Sequence, residues 1–95
     1  MKRTLVVAPE AEAEINQAKE WYLSQSWLAA ARFREAVDLA IETIERNPEQ
    51  YQVVYRQTRR MLVDEFPYAL FYTVTETLVT VVSCFHTARD PKLWR

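Results

Sequence analysis

Cys84 and His86 are the chain's one cysteine and one histidine, and they stand two positions apart in an apolar run. On a strand that spacing points both side chains to the same face, as a thiolate-imidazole pair requires. Their parity matches Leu78 and Val82, however, which favours a Cys84 packed in the core and a His86 at the strand's end. Arg59 and Arg60 are adjacent in a second extended run, so they point to opposite faces and only one can serve any surface. Arg60 shares parity with Leu62 and Asp64, and Arg59 with Met61 and Val63. For each arginine a functional cation and a salt bridge to acidic helices both remain open. Arg89, Lys92 and Arg95 follow in a polar tail with Trp94 near its end. They would enlarge a basic patch if the tail folds back over the sheet, because phosphate contacts need little more than cations held in place.

Other chemistry is missing from the chain. It contains no glycine, hence no glycine-rich phosphate loop and no Gly-x-Ser-x-Gly nucleophile elbow. With one cysteine, a multi-cysteine metal site and an intrachain disulfide are both excluded. Glu10, Glu12 and Glu14 spread around a helix and read as solvated side chains rather than ligands. No metal, no cofactor and no assigned catalytic residue are expected. Tyr51, Tyr55, Tyr68, Tyr72, Phe66, Phe71 and Trp94 could make a stacking platform for bases. Filling the core of so small a domain is the better use for most of them.

The elements that must hold these residues are legible in turn. Ninety-five residues make one domain spanning 1–95, and 49% hydrophobic with 13% aromatic residues is globular composition. Lys2 to Val7 reads as a strand, and Ala8-Pro9-Glu10 as a helix start, with proline at the first helical position and acids complementing the dipole. Ala11, Ile15, Ala18 and Tyr22 then draw an apolar stripe that ends near Ser24. Ser26 is placed to cap a second helix, whose stripe is Ala30, Phe33, Val37, Ala40, Ile41 and Ile44. Asn47-Pro48 ends it, since the residue before proline is pushed from helical angles. The pattern turns to strand from Tyr51. Val53 to Arg56 and Arg59 to Asp64 are extended, interrupted around Gln57-Thr58 by a bulge or a turn, between which the pattern does not choose. Ala69 to Val74 and Leu78 to Phe85 are firmer strands. Without glycine, longer loops built on type I turns are expected. The order β-α-α-β-β-β is an α+β fold, a helical hairpin packed on a mainly antiparallel sheet.

Net charge is −1, but residues 8–50 hold nine acids against four bases, and residues 51–95 six bases against four acids. An acidic helical layer is joined to a mildly basic one, too weakly basic to imply nucleic-acid binding by charge alone. The apolar run at the N-terminus stops at Pro9, too short for a signal peptide, and no run approaches a membrane span. A single cysteine suits a reducing compartment, and a cytoplasmic protein is expected.

Trp21-Tyr22, Asn47-Pro48, Arg59-Arg60 before Phe66-Pro67-Tyr68, Tyr72, and His86 followed by Arg89-Asp90-Pro91 and Trp94 stand in an order and spacing covering nearly the whole chain. In these signals it resembles the RelE/ParE superfamily of bacterial toxins, and most closely the ParE-like branch often described as plasmid stabilisation proteins. The resemblance implies the β-α-α-β-β-β fold and a toxin of a type II toxin-antitoxin pair. It implies as partner a cognate antitoxin whose C-terminal segment folds onto the toxin in a hetero-oligomer. ParE-like members inhibit DNA gyrase, whereas RelE-like members cut mRNA on the ribosome, and a nontoxic antitoxin-binding member is a third reading. RelE-like nucleases place a basic residue just after the tyrosine that opens the third strand; here that position is Ala69. The run from Val53 also lacks their lysines, although Arg56, Arg59 and Arg60 could partly substitute. The resemblance therefore favours a non-enzymatic gyrase inhibitor, with target binding on Arg60, His86, Arg89, Trp94 and Arg95.

Overall fold

The computed structural model describes residues 3–88. In chain order the elements are β1 (Thr4–Val7), α1 (Pro9–Gln25), α2 (Trp27–Arg46), β2 (Val53–Tyr55), β3 (Thr58–Leu62), β4 (Tyr68–Val74) and β5 (Leu78–His86). The strands form one sheet in the order β1-β5-β4-β3-β2, parallel between β1 and β5 and antiparallel elsewhere. This is the expected α+β arrangement with one more strand. Because β1 and β2 occupy opposite edges, the helical hairpin must carry the chain across the full width of the sheet. No helix among the described residues is long and apolar enough to cross a membrane.

Local chemistry explains where the helices start and stop. Ala8 is extended and its N–H donates to Val81 O at 2.8 Å, so the chain leaves the sheet from a tethered point. Pro9 then enters the first helical turn with Glu10 and Glu12 beside it, where the missing proline N–H costs nothing and the acids face the positive end of the dipole. The elbow between the helices is a single residue. Ser26 N–H closes α1 on Tyr22 O at 2.8 Å, while its Oγ accepts from the backbone N–H groups of Leu28 and Ala29 at 3.2 and 3.3 Å. At the far end Asn47 caps α2 immediately before Pro48.

The two stripes read from the sequence pack as one core. Ala11, Ile15 and Ala18 of α1 and Phe33, Val37, Ala40 and Ile44 of α2 are buried, with Tyr22 and Ile41 packed at the margin. They meet Leu70 and Tyr72 of β4 and Val79, Val81 and Cys84 of β5. At one end the rings of Tyr22, Phe33, Phe66 and Tyr68 close the layer, with Phe33 lying 5.2 Å from Tyr22 and 5.3 Å from both Phe66 and Tyr68. Such edge-on and offset contacts match the electrostatics of aromatic rings.

The structure decides one alternative that the sequence left open and departs from its expectation in two further features. The interruption near Gln57-Thr58 is a turn: β2 and β3 form a hairpin in which Tyr55 pairs with Thr58. The connections are not all long loops avoiding positive φ. Arg56 in that two-residue turn has φ 51° and Glu65 between β3 and β4 has φ 69°. These angles are disfavoured for residues carrying a Cβ. Finally, Phe71 pairs with Ser83 but Tyr72 with Val81, so Val82 is an extra residue in β5. That bulge reverses the strand's parity, which is why Cys84 joins Val79 and Val81 in the core while Leu78 is exposed.

The double duty of Ser26 makes it sensitive to substitution. Ser26→Ala should lower the unfolding free energy by about 1 kcal/mol through loss of the cap. Ser26→Gly should cost only a few tenths, and paired urea titrations would measure both.

Candidate functional site

The hairpin β3–β4 divides its two arginines between jobs. Arg59, which the register sets opposite Tyr72, turns its guanidinium onto the chain that follows α2: Nη1 donates to Tyr51 O at 2.6 Å and to Glu49 O at 3.2 Å. The Tyr72 hydroxyl, fully buried, donates to Pro48 O at 2.7 Å. Carbonyls beyond a helix C-terminus have no intrahelical donor, so these bonds satisfy groups that would otherwise be stranded. Arg59 is thereby committed to structure, and its partners are backbone carbonyls rather than acidic helices.

Arg60 pairs with Phe71 on the opposite sheet face, which carries neither α1 nor α2. Phe71 is nearly fully buried there, 5.9 Å from the ring of Phe85, and Ala69 and Ser83 beside it are buried too. The Ser83 hydroxyl has no hydrogen-bond partner among the described residues. His86 ends β5 opposite Tyr68, its ring 5.2 Å from the tyrosine ring, and its Nδ1 accepts from Ala88 N–H at 3.1 Å. Since Tyr68 packs against Tyr22 and Phe33, His86 belongs to the helix side of the sheet. Arg60 and His86 are thus held on opposite faces and do not converge. Arg89, Trp94 and Arg95 lie outside the described residues.

Cys84 and His86 share a face, but the thiol is not poised for chemistry. Cys84 is 3% exposed, and its pKa is pushed up to about 12 by burial and, secondarily, by the nearby Glu14 carboxylate. A thiolate nucleophile needs the opposite shift. Contrary to the solvated position expected for it, Glu14 is half-buried, and its Oε1 accepts the Cys84 backbone N–H at 2.8 Å. The reason lies in the sheet, because β1 pairs with β5 only as far as Val81 and leaves the edge beyond uncovered. A helix carboxylate covers one orphan donor on that edge, a contact that helix spacing alone could not reveal. Burial likewise raises the Tyr72 pKa to about 12, against the lowering influence of Arg59.

Two helices lying on one face of a five-stranded sheet define a small α+β domain. Residues 5–91 match the family model of the ParE toxin of the type II toxin-antitoxin system parDE, and the chain belongs to that family. Among solved structures it is similar to a chain of the chromosomal ParDE TA system from P. aeruginosa. The TM-score is 0.66 at 11% sequence identity, over 88% of this chain and 95% of that one. At that identity the likeness is one of fold. No curated protein sequence matches.

The buried hydroxyl and thiol define two measurements. Tyr72→Phe should destabilise the fold by about 1–3 kcal/mol, because Pro48 O loses its buried donor. Both groups hold their protons more tightly folded than unfolded. The stability they contribute is therefore complete below their ordinary values of 9.0 and 10.0 and declines as pH rises through these towards about 12. Cys84→Ala and Tyr72→Phe should each flatten the alkaline limb of a stability-pH profile, and the native thiol should resist thiol reagents at pH 8 until urea unfolds the chain.

Proposed function

We propose that this ParE-family toxin arrests growth by capturing DNA gyrase, and that a cognate antitoxin neutralises it through a C-terminal segment that folds onto the toxin. The carrying observation is Ala69. It sits at zero exposure in β4, paired with Leu62 and Phe85, at the position where RelE-like nucleases have a basic side chain. RNA cleavage through the 2′-hydroxyl needs a cation at the phosphate and a proton-transfer group beside it. Among the described residues, Arg60 and His86 lie on opposite faces of the sheet and do not make such a pair, which supports capture over catalysis.

Target capture in this reading uses a contact surface rather than a pocket. In this reading His86 and the segment leading to Arg89, Trp94 and Arg95 form one contact region at the end of β5, and Arg60 contributes separately from the helix-free face. Interfaces draw disproportionately on tryptophan and arginine, which suits this set.

The decisive comparison is between two assays on the purified chain. Gyrase supercoiling should be inhibited and ribosome-dependent mRNA cleavage should be absent; cleavage without loss of supercoiling would establish the nuclease reading instead. Arg89→Ala, and separately removal of residues 91–95, should relieve the growth arrest seen on induction without lowering the thermal midpoint. Arrest undiminished in both variants would take the tail out of the mechanism.

A further inference from the structure

The part of β5 beyond its pairing with β1 borders a concavity of about 270 Å³. Glu14, Gln17, Ala18 and Trp21 line its helix side at spacings of three and four, so a single face of α1 supplies all of them. Tyr68 and Cys84 line the sheet side. Ala18 and Cys84 are small and buried, which leaves the space open, while Trp21 keeps 59% of its surface exposed.

Charge decides what this concavity can hold. Cys84 N–H pins Glu14 Oε1 at 2.8 Å, whereas no described residue donates to Oε2. The carboxylate also forms no ion pair with any described residue. A half-buried carboxylate in that state repels an anion, and an apolar occupant would strip water from it without supplying a partner. A metal ion would lack ligands, because no three His, Cys, Asp or Glu side chains gather to hold one among the described residues. An organic cation meets both needs. It answers the charge of Glu14, and the faces of aromatic rings attract it, tryptophan most strongly.

We propose that this concavity binds a small organic cation, an alkylammonium or alkylguanidinium, with the Glu14 carboxylate as its counter-charge and the rings of Trp21 and Tyr68 beside it. The volume falls just below the range of drug-sized pockets, about 300–1,000 Å³, which limits the occupant to a head group and a short alkyl stem. A guanidinium suits the walls well. It is planar, so it can lie against a ring while its fork of N–H donors reaches Glu14 Oε2 and the side-chain carbonyl of Gln17. The carboxylate is already held in place by the backbone of β5, so little ordering is left for the ligand to impose. This site is independent of the toxin's target and stands or falls apart from that reading.

The test titrates the isotope-labelled chain with butylguanidinium, butylammonium and, as the uncharged control, butanol, following the Trp21 indole and Cys84 amide resonances. The two cations should bind with Kd on the order of 1 mM, the affinity open to ligands of so few heavy atoms. Butanol should bind about tenfold more weakly. Glu14→Gln keeps an acceptor for Cys84 N–H while removing the charge, so its thermal midpoint should hold while cation affinity falls about tenfold. Trp21→Leu, at an exposed position, should cost about threefold. No shift with either cation, butanol binding as tightly as the cations, or wild-type affinity in both variants would each overturn the assignment.

Discussion

The fold hangs on the bonds that tie the end of α2 to the middle of the sheet. Tyr72 and Arg59, neighbours across β3 and β4, donate to the carbonyls of Pro48, Glu49 and Tyr51. The chain reaches that point after crossing from β1 at one edge of the sheet to β2 at the other. Nothing in a helix terminus itself fixes where the next strand begins, and each carbonyl left there needs a donor. By supplying those donors from inside the sheet, the hairpin sets the helical layer against Leu70, Tyr72, Val79 and Val81 and makes the two layers one core.

That duty also shapes the functional surface. Adjacent residues on a strand face opposite ways, so committing Arg59 to the connector leaves Arg60 on the helix-free face beside Phe71. The bulge at Val82 does similar work in β5. It turns Cys84 inward, where burial holds the thiol protonated. It also brings His86 to the helix side next to Tyr68. Arg60 and His86 therefore stand on opposite faces of the sheet.

A chain without glycine must place ordinary residues wherever the backbone turns left-handed. Arg56 and Glu65 occupy those places, at a cost of about 1–2 kcal/mol each by the general steric argument. Arg56 recovers part of this through contact with Tyr55, its guanidinium 5.3 Å from the ring centre and its Nε 3.1 Å from the hydroxyl. Glu65 has no comparable contact among the described residues, and it borders the shallow concavities beside α2.

Helix boundaries and core stripes were legible from sequence because they depend on short-range chemistry. Pro9, Ser26 and Pro48 act within a turn of where they stand, and a stripe such as Ala30, Phe33, Val37, Ala40 and Ile44 repeats with the helix itself. The α+β class followed from the order of those patterns, and the family from residues scattered along the chain. Facing in the sheet was harder, because alternation holds only while the register is unbroken. One extra residue at Val82 inverted it for Cys84 and His86, and nothing in the run from Leu78 to His86 marks the place. Nor could spacing show that Glu14 would meet the backbone of Cys84, 70 residues away, or that Arg59 would be absorbed by carbonyls following α2. The sequence by itself determined which segments are helical, which are extended and which helix faces are apolar. Only the tertiary structure decided which polar side chains were used up inside the fold and which were left to bind, since hydrogen-bond partners distant in the chain are chosen by how the layers pack.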